Sequence, residues 1–171
     1  MRLTTKGRYA VTAMIDLAIH EADGPVTLTD IAAHQKISLS YLEQLFSKLR
    51  RRKLVHGTRG PGGGYRLARG STDITVAQII AAVDESVDVT KCNGRQDCED
   101  GEVCLTHELW SSLSRQMYLF LDCITLAEIV RWPHVQAVAA RQDARLARNP
   151  SAMATVPVDE LVKSHADCSP T

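Results

Sequence analysis

Three cysteines and one histidine stand within sixteen residues of this chain, as Cys92-x5-Cys98-x5-Cys104-x2-His107. Thiolates and a neutral imidazole are ligands for zinc and for iron–sulfur centres. Gly94 and Gly101 let the segment fold back on itself. Cys104 and His107 are three apart at the expected start of a helix, so they share a face, and a helix N-terminus favours anionic sulfur. The surrounding segment is polar and has no core pattern, which argues against four unrelated buried residues. Structural zinc sites place ligands in pairs two to four residues apart. Two successive gaps of five favour a larger centre, a 2Fe–2S cluster, with zinc as the alternative. An imidazole in place of a thiolate makes a cluster easier to reduce and can leave when protonated. Asp97, Glu99, Asp100 and Glu102 push the potential the other way.

The other cysteines and histidines read differently. Five cysteines in a chain with no evident secretory segment point to metal or redox roles rather than disulfides. Cys123, at the end of the long helix, reads as a small half-buried hydrophobe, and Cys168 lies near the C-terminus; neither is expected to ligate. His20, His34, His56, His134 and His165 read as ordinary surface or partly buried residues.

Periodicity predicts the elements that must hold the loop. Val11, Met14, Ile15, Ala18 and Ile19 predict a helix over 5–22, capped by Thr4 or Thr5 and ended by Gly24-Pro25. Thr27 with Asp30 opens a short second helix that stops near Lys36. The third helix is capped by Ser38 or by Ser40, which has capping-box spacing to Glu43, and buries Leu42, Leu45, Phe46 and Leu49. Lys53-Leu54-Val55 and HGTRGPGGGYRLA read as a β-hairpin with a glycine-rich tip. Thr75 opens a fourth helix to about residue 84, with Val76, Ile79, Ile80 and Val83 apolar. After the loop, a helix over 106–123 carries Trp110, Leu113, Met117, Phe120 and Ile124 at heptad steps, a seam that predicts a homodimer, with Leu109 and Leu121 beside it. Thr125 with Glu128 caps LAEIV. Beyond Pro133 a weak helix near 135–147 is expected within a weakly structured or disordered tail.

The fold class is therefore mainly α with a small β-hairpin wing: a winged helix-turn-helix plus a long dimerisation helix. The organisation is a DNA-binding domain over 1–84, a metal loop over 85–107, a dimerisation helix with its following short helix over 106–132, and the tail over 133–171.

Net charge is zero, but residues 1–70 carry 12 Lys/Arg against 5 Asp/Glu, and residues 71–171 carry 8 against 15. The basic part suits double-stranded DNA, whose condensed counterions Lys and Arg displace. Ser40, Tyr41, Glu43 and Gln44 open the expected reading helix, with Ser38 before them and Ser47 on the same face. Gln can pair with adenine, and Glu43 accepts from cytosine while repelling sequences that offer it no donor. Lys48, Arg50, Arg51, Arg52 and Lys53 compensate the helix dipole and are also placed to meet phosphate, as are Arg2, Lys6 and Arg8. Arg59 and Gly60 sit at the wing tip, slim enough for a minor groove. A nucleotide loop is excluded there, because no Lys-Ser or Lys-Thr follows PGGGYRL and a strand, not a helix, comes next. Twofold symmetry would call for imperfect palindromic operators with half-sites about one helical turn apart. No apolar run is long enough for a membrane span and no signal-peptide layout opens the chain, so a cytoplasmic protein without a membrane partner is expected. No catalytic constellation is present, so no enzymatic activity is expected. A zinc-stabilised DNA-binding protein and a cluster-carrying redox protein are the two rival classes.

MRLTTKGRYAVTAM, SLSYLEQLFSKLR, RGPGGGY, AVDESVD and the Cys-x5-Cys-x5-Cys-x2-His loop together resemble a family of winged-helix repressors that includes the regulators of iron–sulfur cluster assembly. The resemblance covers roughly residues 1–130. It implies a dimer with one 2Fe–2S cluster per subunit on Cys92, Cys98, Cys104 and His107, supplied by the iron–sulfur assembly machinery. It further implies repression of its own cluster-assembly operon when loaded, and regulation of a second class of sites without the cluster. The nitric-oxide and redox sensors of that family differ in cysteine spacing, and this chain follows the cluster-assembly pattern.

Overall fold

The computed structural model describes residues 4–148. Arg2, His165, Cys168 and the tail from residue 149 lie outside the described residues.

Seven helices and one hairpin follow in the order α1 (Thr5–His20), α2 (Leu28–Gln35), α3 (Leu39–Arg51), β1 (Val55–Thr58), β2 (Gly64–Leu67), α4 (Val76–Ala82), α5 (His107–Asp122), α6 (Leu126–Val130) and α7 (Pro133–Arg148). The helix starts are set by side chains that satisfy orphan amides. Thr4 caps α1, and reciprocal capping boxes open α2 (Thr27/Asp30), α4 (Thr75/Gln78) and α6 (Thr125/Glu128). Two local expectations change. The first helix ends at His20, because the Glu21 carboxylate takes the Leu67 amide at 2.9 Å and Arg66 reaches the Glu21 carbonyl at 3.0 Å, turning the chain toward the hairpin. The third helix starts earlier than a Ser40 cap requires: Ser38 is its N-cap, without a side-chain cap bond, and Ser40 already lies inside it.

One core joins α1, α2, α3, the hairpin, α4 and α6. Met14, Leu17, Ile31, Leu42, Leu45, Phe46, Leu49, Ile74 and Leu126 are its fully buried members. The hairpin pairs Val55 with Leu67 through Thr58 with Gly64, and Val26 adds to its open edge with paired bonds to Tyr65 of 2.9 and 2.7 Å. Gly60 and Gly62 turn the tip at positive φ.

Beyond the core, α5 is fastened at its C-terminal end, where Val76, Ile80 and Ile129 gather Leu121 and Ile124. Ile124, expected as the last step of the heptad seam, lies past the helix end and packs in this anchor. Cys123, expected half-buried, is exposed, because the chain turns there and the neighbouring Ile124 faces inward.

The helix expected near 135–147 is present as α7, two residues longer at its start and docked on α2 rather than weakly structured. Gln142 and Gln35 exchange amide hydrogen bonds of 3.1 and 3.2 Å, and Arg145 donates to the carbonyls of Ala33 and His34 at the end of α2. These polar contacts leave no apolar stripe in the sequence; Ala139 is the buried residue of α7.

A Cβ on Gly64 would meet the Val26 carbonyl oxygen at 2.6 Å, whereas one on Gly57 meets nothing closer than 3.9 Å. Gly64→Ala is therefore expected to destabilise the protein by about 1–3 kcal/mol, and Gly57→Ala by far less. Urea denaturation of both variants checks the contrast.

Candidate metal centre and nucleic-acid interface

The loop between α4 and α5 is built around small polar hubs. The Asp88 carboxylate accepts from the Thr90 amide and hydroxyl, both at 2.7 Å, and from Ser114 of α5 at 3.4 Å. Ser114 also takes the Val89 amide at 3.0 Å, and the Thr90 hydroxyl takes the Gly94 amide at 2.8 Å. The Thr90 hydroxyl above all holds the Asp88 carboxyl below its ordinary range. Positive φ at Asn93, Gly94, Gln96, Asp100 and Gly101 folds the segment back twice, and Glu99 and Glu102 close a small bridge.

This folding brings Cys92, Cys98 and His107 together, all buried. The Cys92 and Cys98 sulfurs are 3.3 Å apart, and His107 Nδ1 lies 3.5 Å from the first and 3.2 Å from the second. The far ring nitrogen, Nε2, meets the Ser111 hydroxyl at 3.1 Å. An imidazole held this way presents one nitrogen to a metal while the other is oriented by a neighbour. Cys104 lies outside the tight group; half-buried, its sulfur is 3.8 Å from the Thr106 hydroxyl.

The thiols are poised unequally. Burial pushes Cys92 up, but hydrogen bonds from Cys98, Thr90 and the backbone near Gln96 and Gly94 outweigh it and bring it down to about 6. The Thr106 amide and hydroxyl lower Cys104. The Cys104 amide favours the Cys98 thiolate, yet burial and the two neighbouring sulfurs win and hold that thiol up. A buried set with thiolate character needs a cation, and the sulfur-and-nitrogen donor chemistry fits zinc or an iron–sulfur centre. The present separations are slightly shorter than the roughly 3.6–3.8 Å edges around one tetrahedral ion with metal–sulfur bonds near 2.3 Å. The donors must therefore spread to admit any metal. Cys123 sits at the opposite end of α5, roughly 24 Å away by helical rise, and takes no part.

On α3, Ser40, Glu43, Gln44, Ser47, Lys48 and Arg51 line one open surface. Tyr41 is half-buried and packs edge-on against Tyr9, with centroids 6.0 Å apart, so part of its role is to seat α3 on α1. Ser38 is half-buried at the helix start. Arg50, Arg51, Arg52 and Lys53 are exposed at the other end, Arg8 is exposed on α1, and Arg59 and Gly60 are exposed at the hairpin tip. Lys48 is not free: its ammonium pairs with Asp84 at 2.8 Å, and Lys6 lies close to both. The Lys48 partner holds the Asp84 carboxyl down.

Of the four loop residues expected from the sequence, the fold brings Cys92, Cys98 and His107 together and leaves Cys104 beside them. Sequence reasoning missed Asp88, Thr90, Ser111, Ser114 and Asp84. Two of these had a signal: Ser111 is one helical turn from His107, and Asp88-x-Thr90 has the spacing of a local side-chain turn.

Along α5, Leu109, Trp110, Leu113, Tyr118, Leu119 and Phe120 are exposed, with Phe120 at 66%. Met117 is half-buried. No helix among the described residues is long and apolar enough to cross a membrane.

Residues 3–132 match the Rrf2 family, described as iron-dependent transcriptional regulators. The HTH-type transcriptional regulator IscR of Photobacterium profundum is 61% identical over 143 residues, covering 84% of this chain and 83% of that protein. The same-named regulator of Vibrio cholerae is 59% identical over 147 residues, 86% of this chain and 85% of that one. Among solved structures, T. potens IscR superposes with a TM-score of 0.65 at 37% identity, over 77% of this chain and 87% of that one. CymR, the global cysteine regulator of B. subtilis, gives 0.65 at 34% identity, over 76% and 96%. These relatives are transcriptional regulators rather than enzymes. The chain belongs to the Rrf2 family, with the mainly helical, winged-helix fold of its regulators.

Proposed function

We propose that this protein is a homodimeric, DNA-binding transcriptional regulator that senses a 2Fe–2S cluster, one per subunit, and controls iron–sulfur cluster assembly genes. The observation that carries the reading is the convergence of Cys92, Cys98 and His107 in a buried site beside α5. Cys104, at the rim of that site, is the fourth ligand. Two cysteine sulfurs and an imidazole already in place, with a third sulfur able to swing in, would allow the loop to accept and lose a centre without unfolding the domain. The cluster supplies a redox- and supply-sensitive charge at that point. The chain's own residues do the rest: Ser111 fixes the His107 ring, and Asp88 and Thr90 order the turn that carries Cys92.

The exposed apolar side chains of α5, Trp110, Leu113 and Phe120 among them, are the dimerisation surface, with half-buried Met117 in the same seam. A twofold dimer presents two α3 helices to double-stranded DNA with palindromic half-sites. Ser38, Ser40, Tyr41, Glu43, Gln44 and Ser47 form the base-reading end. Lys6, Arg8, Lys48, Arg50 and Arg51, with Arg2 before them, form the phosphate-contacting set. Arg59 and Gly60 form the wing contact. The assembly machinery is the cluster source, and a cytoplasmic location fits such a role. Zinc on the same donors is the second reading, because sulfur and imidazole ligands suit it equally.

Anaerobic purification with iron and sulfide analysis separates the two. Two irons and two sulfides per chain, lost on changing Cys92, Cys98, Cys104 or His107 to Ala, is the expected result; stoichiometric zinc in a colourless protein supports the second reading. Asp84 stands at positive φ, which Asn tolerates. Asp84→Asn releases Lys48, so duplex affinity at low salt is expected to rise about two- to fivefold and the salt slope to steepen by about one. Fluorescence anisotropy across a salt series checks both.

A further inference from the structure

A second cluster of ligand-type side chains joins α1, α2 and α7. Asp16 of α1 is buried, and its Oδ1 accepts from Gln35 Nε2 at 2.9 Å. Its Oδ2 lies 3.2 Å from His34 Nδ1. One turn along α1, His20 Nδ1 lies 2.8 Å from the Asp16 carbonyl oxygen and 3.6 Å from Oδ1. The two imidazoles stack, with centroids 4.7 Å apart and planes 20° apart, so their outer nitrogens point the same way.

Both Nδ1 atoms face oxygens that can only accept, so each carries the ring's hydrogen. In the neutral rings the two Nε2 atoms are then the lone-pair donors. They face the same acceptor: Asp143 Oδ1 of α7 is 3.2 Å from His20 Nε2 and 3.6 Å from His34 Nε2. Two imidazoles and a carboxylate thus converge on one point, where a metal cation competes with a proton: the Asp16 hydrogen bond above all, with Asp143 and Asp30 adding to it, raises the His34 pKa. The two nitrogen–oxygen separations lie near the roughly 3.3 Å edges of a tetrahedral ion with bonds of about 2.0–2.1 Å. Asp16, behind the rings, is where the carboxylate that orients a metal-binding histidine stands. An open cleft of about 520 Å³ leads to the site, and Asp23 and Asp30 on its walls add negative charge.

We propose that His20 Nε2, His34 Nε2 and Asp143 Oδ1 form a metal site, separate from the cysteine loop, for a divalent first-row transition-metal ion that clamps α7 onto the α1–α2 corner. Two imidazoles and a carboxylate suit zinc and ferrous iron and reject calcium and magnesium, which prefer all-oxygen sites. The ion stiffens the pair of helices on which α3 is seated.

The test uses the full-length chain carrying C92S, C98S and C104S, so that the loop thiolates cannot compete. Titration with Co²⁺ is expected to give one equivalent per chain, with the visible bands of nitrogen and oxygen ligation and no sulfur-to-cobalt charge transfer. Zn²⁺ displaces it and slows amide exchange across residues 133–148. Asp143 is half-exposed, so Asp143→Ala leaves folding intact. Asp143→Ala and His34→Gln are each expected to weaken Co²⁺ binding about ten- to a hundredfold and to remove the slowing. No Co²⁺ uptake, equal affinity in the parent and Asp143→Ala, or uptake without any change in exchange over 133–148 overturns the proposal. None of these outcomes bears on the cysteine loop, which is absent from the test.

Discussion

Everything downstream of α4 depends on how α5 is fastened. The Val76 amide donates to the Ile124 carbonyl at 2.9 Å, the Leu126 amide to the Ile74 carbonyl at 3.0 Å, and the Thr75 hydroxyl to Asp122 at 2.8 Å. These bonds tie the turn between α5 and α6 to the strand-like entry of α4, and the small cluster around Ile80 and Ile129 seals it. A helix of sixteen residues held at one end extends its other end roughly 24 Å from the anchor. That far end begins with His107. The same rigid element therefore joins the metal loop to the winged-helix core and leaves its apolar flank outside both.

The buried donor set explains why the loop needs a partner of positive charge. Cys92 and Cys98 are almost fully buried, and a thiolate in that position is costly unless something compensates it. Burial raises the Cys92 pKa, but the Cys98 thiol, the Thr90 hydroxyl and backbone amides compensate part of the charge and outweigh it, which brings the pKa down to about 6. The exposed carboxylates of Glu99, Asp100 and Glu102 cannot help, since they carry the same sign. In the proposed reading, a metal centre would supply the missing charge.

The sequence made the elements legible where one physical signal dominated. The α3 stripe of Leu42, Leu45, Phe46 and Leu49 is buried as a 3.6-residue period requires, and the capping pairs at Thr27, Thr75 and Thr125 form as their spacing indicates. Three of the four loop residues converge as their types and spacing suggested. What stayed hidden was polar and long-range. The docking of α7 runs through Gln142, Arg145 and Asp143, which meet residues more than a hundred positions away and leave no periodic trace. His20 and His34 looked ordinary because a histidine's meaning depends on what its two nitrogens face, and Asp16 and Asp143 face them only in the fold. The heptad seam was overextended to Ile124 because period alone cannot tell the last residue of a helix from the first residue of its anchor.

The segment from Asp84 to Asp88 shows how the two halves meet. Its first residue pairs with Lys48 on the face of α3, and its last is the hub that orders Thr90 and touches Ser114 on α5. Four peptide steps thus span from the proposed DNA-reading surface to the proposed cluster loop, a reach of at most about 15 Å. Between them, Glu85 has a buried carboxylate oxygen with no hydrogen-bond partner among the described residues, beside the Tyr41 ring that seats α3. An unsatisfied buried oxygen is a local strain that a small displacement relieves. Ordering Asp88 against α5 and holding Lys48 through Asp84 are two demands met together by one short stretch of backbone. In the sensing reading, loop occupancy sets the first demand and DNA phosphate, by drawing Lys48 away, sets the second. The coupling between them requires no element beyond this segment and the anchored helix.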